Sequence, residues 1–239
     1  MKNALISYDH EGTALEGYLA WDESRTGKRP GVLVVHEWMG IGDHERRSCD
    51  RLAEAGYLAF AADIFGKDHR PQTMEQAAAN ANEYRAGDRA LLRARVRAGF
   101  DALRAEASCD PTRIAAMGFC FGGTTILELA RSGADLRGVV SFHGGLATAT
   151  PARAGVLKAK VLALHGAEDP FVPESDVAAF EQEMRAAHAD WQLFKYGGAV
   201  HSFTNEGAGD DPSRGFAYNP LAAARSWQAM LSFLIEIFA

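Results

Sequence analysis

Arg113-Ile-Ala-Ala-Met-Gly-Phe-Cys-Phe-Gly-Gly-Thr124 reads as an apolar strand, a tight turn and the start of a helix. Within it Gly118-Phe-Cys120-Phe-Gly122 has the form G-x-S-x-G with sulfur in place of the hydroxyl. So sharp a turn needs small residues two before and two after the central side chain, because a Cβ there would clash. It lifts the central side chain above the sheet and sets it at a helix start, where backbone N–H groups and the helix dipole favour negative charge. For a thiol this favours the thiolate, which is the reactive form. Cys49, on the inner face of a helix, and Cys109, in a loop before Asp110-Pro111, lack that context and read as structural.

Outward from this turn, short apolar runs alternate with helical stretches. Ile6 to Tyr8 and Leu15 to Trp21 form an opening pair of strands, and Val32 to Val35 is a strand buried on both faces because it never alternates with polar residues. Further strands are expected at Leu58 to Ala61, Arg113 to Met117, Val139 to Phe142, Val161 to His165 and Trp191 to Tyr196. Helical spacing marks Asp43 to Ala55, Met74 to Tyr84, Leu91 to Leu103, Thr124 to Arg131, Asp176 to Ala187 and Leu221 to Phe238. Strands alternating with helices imply an α/β fold: a mostly parallel sheet with helices on both faces. The nearest thing to a linker, Ser24 to Pro30, is too short to separate domains, so residues 1–239 read as one domain.

Composition narrows the function classes. The chain has 239 residues, 47% of them hydrophobic and 23% charged, which is ordinary for a soluble globular protein. Its 25 basic and 31 acidic residues leave a formal charge of −6, which argues against nucleic acid as a partner. The longest apolar run, Tyr57 to Ala62, is far below the roughly 20 residues of a membrane helix, and the first residues show no secretory signal. Three cysteines without a CxxC pair give neither a disulfide framework nor a zinc site. His36, Glu37 and His44 miss the H-E-x-x-H spacing, and Gly27-Lys28 lacks the rest of a P-loop. The expectation is a cytoplasmic protein, monomer or homodimer, with no metal or cofactor and no membrane partner.

In open α/β sheets ligands bind at the carboxyl ends of the strands. A nucleophile there needs an imidazole to manage its proton and a carboxylate to orient the imidazole, in the chain order nucleophile, acid, histidine. Val161-Leu-Ala-Leu-His-Gly-Ala-Glu-Asp-Pro170 offers Asp169 on the loop after a late strand, with Glu168 the weaker choice. Tyr196-Gly-Gly-Ala-Val-His201 then offers His201 on a glycine-rich loop after the last strand. His165 precedes the acid and reads as a packing residue, and Ser141-Phe-His143-Gly-Gly lacks the flanking glycine of a second elbow. The loop at His36-Glu37-Trp38 supplies one oxyanion N–H from Trp38, and Phe121, after the nucleophile, supplies the other. Glu37 is unexpected there, since a carboxylate beside developing negative charge is unfavourable.

Val-His36-Glu37-Trp-Met-Gly, Ala-Asp63-Ile-Phe-Gly66, Gly118-Phe-Cys120-Phe-Gly-Gly, Glu168-Asp169-Pro and Gly-Ala-Val-His201-Ser-Phe together resemble the dienelactone hydrolase family of the α/β-hydrolase superfamily, over nearly the whole chain. The resemblance implies a carboxylic ester hydrolase of the carboxymethylenebutenolidase kind. It implies Cys120, His201 and Asp169 as the triad, and Glu37 as the group that keeps the resting cysteine a neutral thiol until substrate displaces it. Such gating would protect the thiol from oxidation. Family members that cleave dienelactone hold its carboxylate with arginines, one of them four residues after the triad histidine. Here that position is Asn205, followed by Glu206, and no arginine stands at 74–79. Arg70, Arg85 and Arg214 are the possible substitutes, with Arg85 taken as the substrate-binding candidate beside Phe65, Phe171 and Phe203.

Sulfur also selects substrate. A tetrahedral adduct on Cys120 expels its better leaving group, so amides revert while lactones, enol esters, aryl esters and thioesters go forward. The reading is hydrolysis of an activated ester or lactone through a thioacyl-enzyme. A hydrolase-fold module that binds a ligand or senses oxidants without turnover, and an acyltransferase, stay open beside it.

Overall fold

The computed structural model describes residues 1–239. One eight-stranded sheet runs through the molecule in the order β1-β2-β4-β3-β5-β6-β7-β8. Its strands are β1 (Lys2–His10), β2 (Thr13–Trp21), β3 (Arg29–Val35), β4 (Leu58–Ala62), β5 (Cys109–Phe119), β6 (Gly138–Phe142), β7 (Lys160–Gly166) and β8 (Trp191–Tyr196). β1 and β2 are joined by the two-residue turn Glu11-Gly12, both at positive φ, the turn whose twist suits a tight hairpin. β1 pairs antiparallel with β2, and β2 antiparallel with β4; from β4 to β8 every pairing is parallel.

The helices are α1 (Asp43–Glu54), α2 (Met74–Arg85), α3 (Ala90–Ala105), α4 (Phe121–Arg131), α5 (Glu174–Ala186) and α6 (Pro220–Phe238). Val32 and Val34 of β3 point into a core closed by α1 and α6, whereas Leu33 and Val35 point into the core beneath α2 to α5. That two-sided burial is why β3 shows no polar alternation. None of the helices is long and apolar enough to cross a membrane.

The expected elements are present, with ends that differ by a few residues. β1 and β5 each begin four residues early, and β5 thereby starts at Cys109: this residue is a buried strand residue and not part of a loop. Its register with Arg29 of β3, ahead of the irregularity at Pro30/Gly31, draws it into the sheet. The chain order reverses beside β3, whose neighbours are β4 and β5, and this opens a crevice at the carboxyl ends of β3 and β5.

Candidate active site

Cys120 stands between β5 and α4 with φ 51° and ψ −111°, a conformation that L-residues rarely adopt. The glycines around it explain how the chain achieves this. A Cβ on Gly118 would collide with the Gly122 carbonyl, and one on Gly122 with the carbonyl of Val35. The strained backbone is held from three sides. The Cys120 N–H donates to the Phe142 carbonyl at 3.0 Å and to His143 Nδ1 at 3.2 Å, and the Cys120 carbonyl accepts the Thr124 N–H at 3.2 Å.

His201 arrives on the loop after β8, its backbone held by Gly215 and Ala217. Its Nδ1 lies 2.7 Å from Asp169 Oδ2, and the other oxygen of Asp169 accepts the Phe171 N–H at 2.9 Å. Cys120 and His201 flank the same ring: His143 accepts the Cys120 N–H and lies 5.4 Å from His201 between centroids. Burial alone would push the imidazolium down, but the charge of Cys120 and the hydrogen bond donated to Asp169 outweigh it, and the His201 pKa is pushed up to about 10. The arrangement therefore favours an imidazolium poised beside sulfur.

Glu37 is buried at the mouth of the same crevice. Its carboxyl meets Asn205 Nδ2 and, at 3.3 Å, the Ser202 hydroxyl; its hydrogen-bonding partners do not include the thiol. Burial, and next the nearby charge of Glu45, push its pKa up to about 7, against opposing contributions from Asn205, His201 and Ser202. His36 fixes the loop from below: its Nε2 accepts the Ile64 N–H at 3.2 Å, so Nδ1 carries the proton and donates to the Glu37 carbonyl at 2.6 Å. The Trp38 N–H has no backbone acceptor, and Phe121 opens α4, where the first N–H groups have no intrahelical partner.

The remaining candidates separate. The Phe171 ring is 59% exposed on the rim, edge-on to His201 at 5.4 Å between centroids. The Arg85 guanidinium lies 5.6 Å from the centroid of the Phe121 ring and takes part in no ion pair, which distinguishes it from Arg70, paired with Glu16 and Asp63. Arg214 stacks over Phe216. Phe65 and Phe203, expected to bind substrate, are 1% and 0% exposed. Phe65 packs among His36, Tyr84 and Phe121, and Phe203 against His143 and Tyr196. They back the site and offer no face to a ligand.

Three features escaped the sequence reading. His143, set aside there, accepts the Cys120 N–H through Nδ1, so its Nε2–H donates to the Thr204 hydroxyl at 2.7 Å, and that hydroxyl points on to His44 Nε2 at 3.4 Å. Burial, with the neighbouring His201 and His44, holds the His143 pKa well below the usual histidine value and keeps the ring neutral. Asn205, noted only as a missing arginine, is a partner of Glu37. Glu45 joins the site from α1, with a spacing from Glu37 that no motif would flag.

The profile of the dienelactone hydrolase family matches residues 15–238. The chain belongs to the dienelactone hydrolase family. A solved structure named m3DLH shares 46% identity over 100% of this chain and 99% of its own, with a TM-score of 0.95. A dienelactone hydrolase-like promiscuous phosphotriesterase, P91, from metagenomic libraries shares 41% identity over 100% of this chain and 99% of that one, with a TM-score of 0.93. A Yersinia pestis protein named "Putative carboxymethylenebutenolidase" is 29% identical over 95% of this chain and 85% of its own length. The molecule is thus a dienelactone hydrolase-like hydrolase of α/β-hydrolase fold acting on a small molecule.

Proposed function

We propose that this family member cleaves an activated carboxylic ester or lactone with Cys120 as nucleophile. The observation that carries the reading is the His201–Asp169 bond beside the elbow, with His143 touching both the Cys120 N–H and the His201 ring. The Cys120 thiolate attacks the carbonyl carbon, a C–S bond forms, and the carbonyl π electrons move to oxygen, which accepts the Trp38 and Phe121 N–H groups. The adduct collapses, the C–O bond to the leaving group breaks, and His201 Nε2–H protonates the departing oxygen. The neutral imidazole then takes a proton from water as its oxygen adds to the thioacyl carbon. The C–S bond breaks, the acid leaves, and the thiolate and imidazolium are restored.

Glu37 is the base that controls this cycle. With its proton affinity near that of a thiol, it can accept the Cys120 proton when substrate enters and return it afterwards. The contacts to Asn205 and Ser202 are where its carboxyl would rest after swinging away from sulfur. Arg85, with no carboxylate of its own, is positioned to meet an acidic group on substrate, and Phe171 forms an apolar wall at the entrance. The likeness to P91 adds phosphotriesters as a second substrate class, because the same nucleophile and N–H donors would also serve a phosphoryl centre.

The test is a panel of p-nitrophenyl esters, unsaturated lactones and a phosphotriester, run on the wild type, on iodoacetamide-treated enzyme and on C120A. Turnover should fall at least about a thousandfold in the latter two, with the C120A fold intact. Undiminished ester cleavage by C120A would refute the mechanism. Release of p-nitrophenol that stops at one equivalent favours a sensing module, and ester products formed with added alcohols favour an acyltransferase.

A further inference from the structure

Glu45 is a buried carboxylate with no cationic partner in the fold. It stands at the third position of α1, and each of its oxygens is occupied by a backbone donor: Oε1 accepts the Glu37 N–H at 3.1 Å and Oε2 accepts the Gly42 N–H at 2.8 Å. Those two bonds clamp the ends of the loop 37–42, which also carries the Trp38 N–H. A buried anion normally has a cation or is replaced by an apolar group, since desolvating it costs several kcal/mol. Here two backbone N–H groups and the amino end of α1 are its only compensation.

We propose that Glu45 is a positioning residue for the reaction, clamping the 37–42 loop that carries Glu37 and the Trp38 N–H, and supplying the fixed negative charge that tunes when Glu37 holds a proton. The charged groups facing the Glu37 carboxyl are Glu45 from α1 and His201 from the loop after β8; Ser202 and Asn205, from that same loop, are neutral donors. The like charge of Glu45 raises the proton affinity of Glu37, and His201 lowers it. Glu45 is bonded to the Glu37 backbone and touches no reacting atom, so it acts through Glu37 and the loop. The link to turnover rests on the proposed role of Glu37; the link to Glu37 protonation does not.

The two are separable by experiment. In protein carrying ¹³C-labelled glutamate, with the Glu37 carboxyl signal assigned by its loss in E37Q, the wild-type signal should titrate near pH 7. In E45Q, which keeps size and one acceptor, the midpoint should fall by about one unit. A wild-type midpoint near 4.5, or an E45Q midpoint that does not move, overturns the inference. The first of these is read on unaltered protein, so the test survives if E45Q does not fold. The pH profiles of kcat/KM and of iodoacetamide alkylation should shift with the carboxyl signal, and in an E37Q background E45Q should produce no shift. If the carboxyl signal moves and the activity profile does not, the tuning by Glu45 stands and the role given to Glu37 in turnover fails.

Discussion

Two glutamates buried in this molecule are treated in opposite ways. Glu128, on α4, is fully enclosed and ringed by cations: Arg89 lies 3.0 Å away, Arg131 3.1 Å, and Arg93 Nε 2.9 Å. Burial works against its charge, but a hydrogen bond from Thr148 and the charges of Arg131 and Arg93 outweigh it, and its pKa lies below the usual carboxyl value. Glu37 has two neutral donors and a second carboxylate nearby, and its pKa is pushed up to about 7. The lesson is that a carboxylate used to join elements is given cations, as Glu128 joins α3 to α4. One proposed to exchange a proton near neutral pH has no arginine or lysine beside it, and His201 only partly offsets its burial.

The contrast can be tested, beginning where the effect should be greatest. E128Q leaves Arg89 and Arg93 without their anion, Arg131 keeping Glu183, and should cost about 3–5 kcal/mol in denaturant unfolding, while turnover per folded molecule stays close to wild type. If E128Q is as stable as the wild type, the cluster is ornamental and the contrast fails.

Glu37 should behave in reverse. Its folded-state pKa of about 7 lies above its ordinary 4.5, so the folded chain holds that proton more tightly than the unfolded chain does. The resulting contribution to stability is full below about pH 4.5 and is lost as pH rises through 7, on the order of 3 kcal/mol in all. E37Q should remove that pH-dependent loss, and melting curves of both proteins from pH 4.5 to 8 would show it. In the same variant kcat/KM should fall about a hundredfold with the fold intact. A wild-type rate would mean that the raised proton affinity serves nothing.

The smallest effect concerns the unpaired cation. R85A should raise KM about tenfold for esters that carry a carboxylate and leave neutral esters unchanged. Equal effects on both would make Arg85 a packing residue over Phe121.

Much of this was legible in the sequence, and residue by residue the reason is clear. The elbow at Cys120 is local: five residues dictate it through sterics alone, and the flanking glycines would show in any fold. The strand order of Asp169 and His201 followed from chain order, because parallel sheets deliver their loops to one edge. The status of Phe65 and Phe203 was not legible, because an aromatic side chain after a strand has the same spelling whether it faces ligand or core. Cys109 was misplaced because the Asp110-Pro111 pair signals a turn, and the pairing with Arg29 overrides it.

What the sequence determined by itself was the layering of the molecule and the identity of the sulfur on its sharp turn, both consequences of short-range sterics and hydrophobic period. What only the tertiary structure decided was the electrostatics: that Glu128 has three arginines, that Glu37 has Asn205 and Ser202, and that Glu45 lies behind it. Proton affinities depend on distances between groups far apart in the chain and on the water removed from around them, and neither quantity is written in local order.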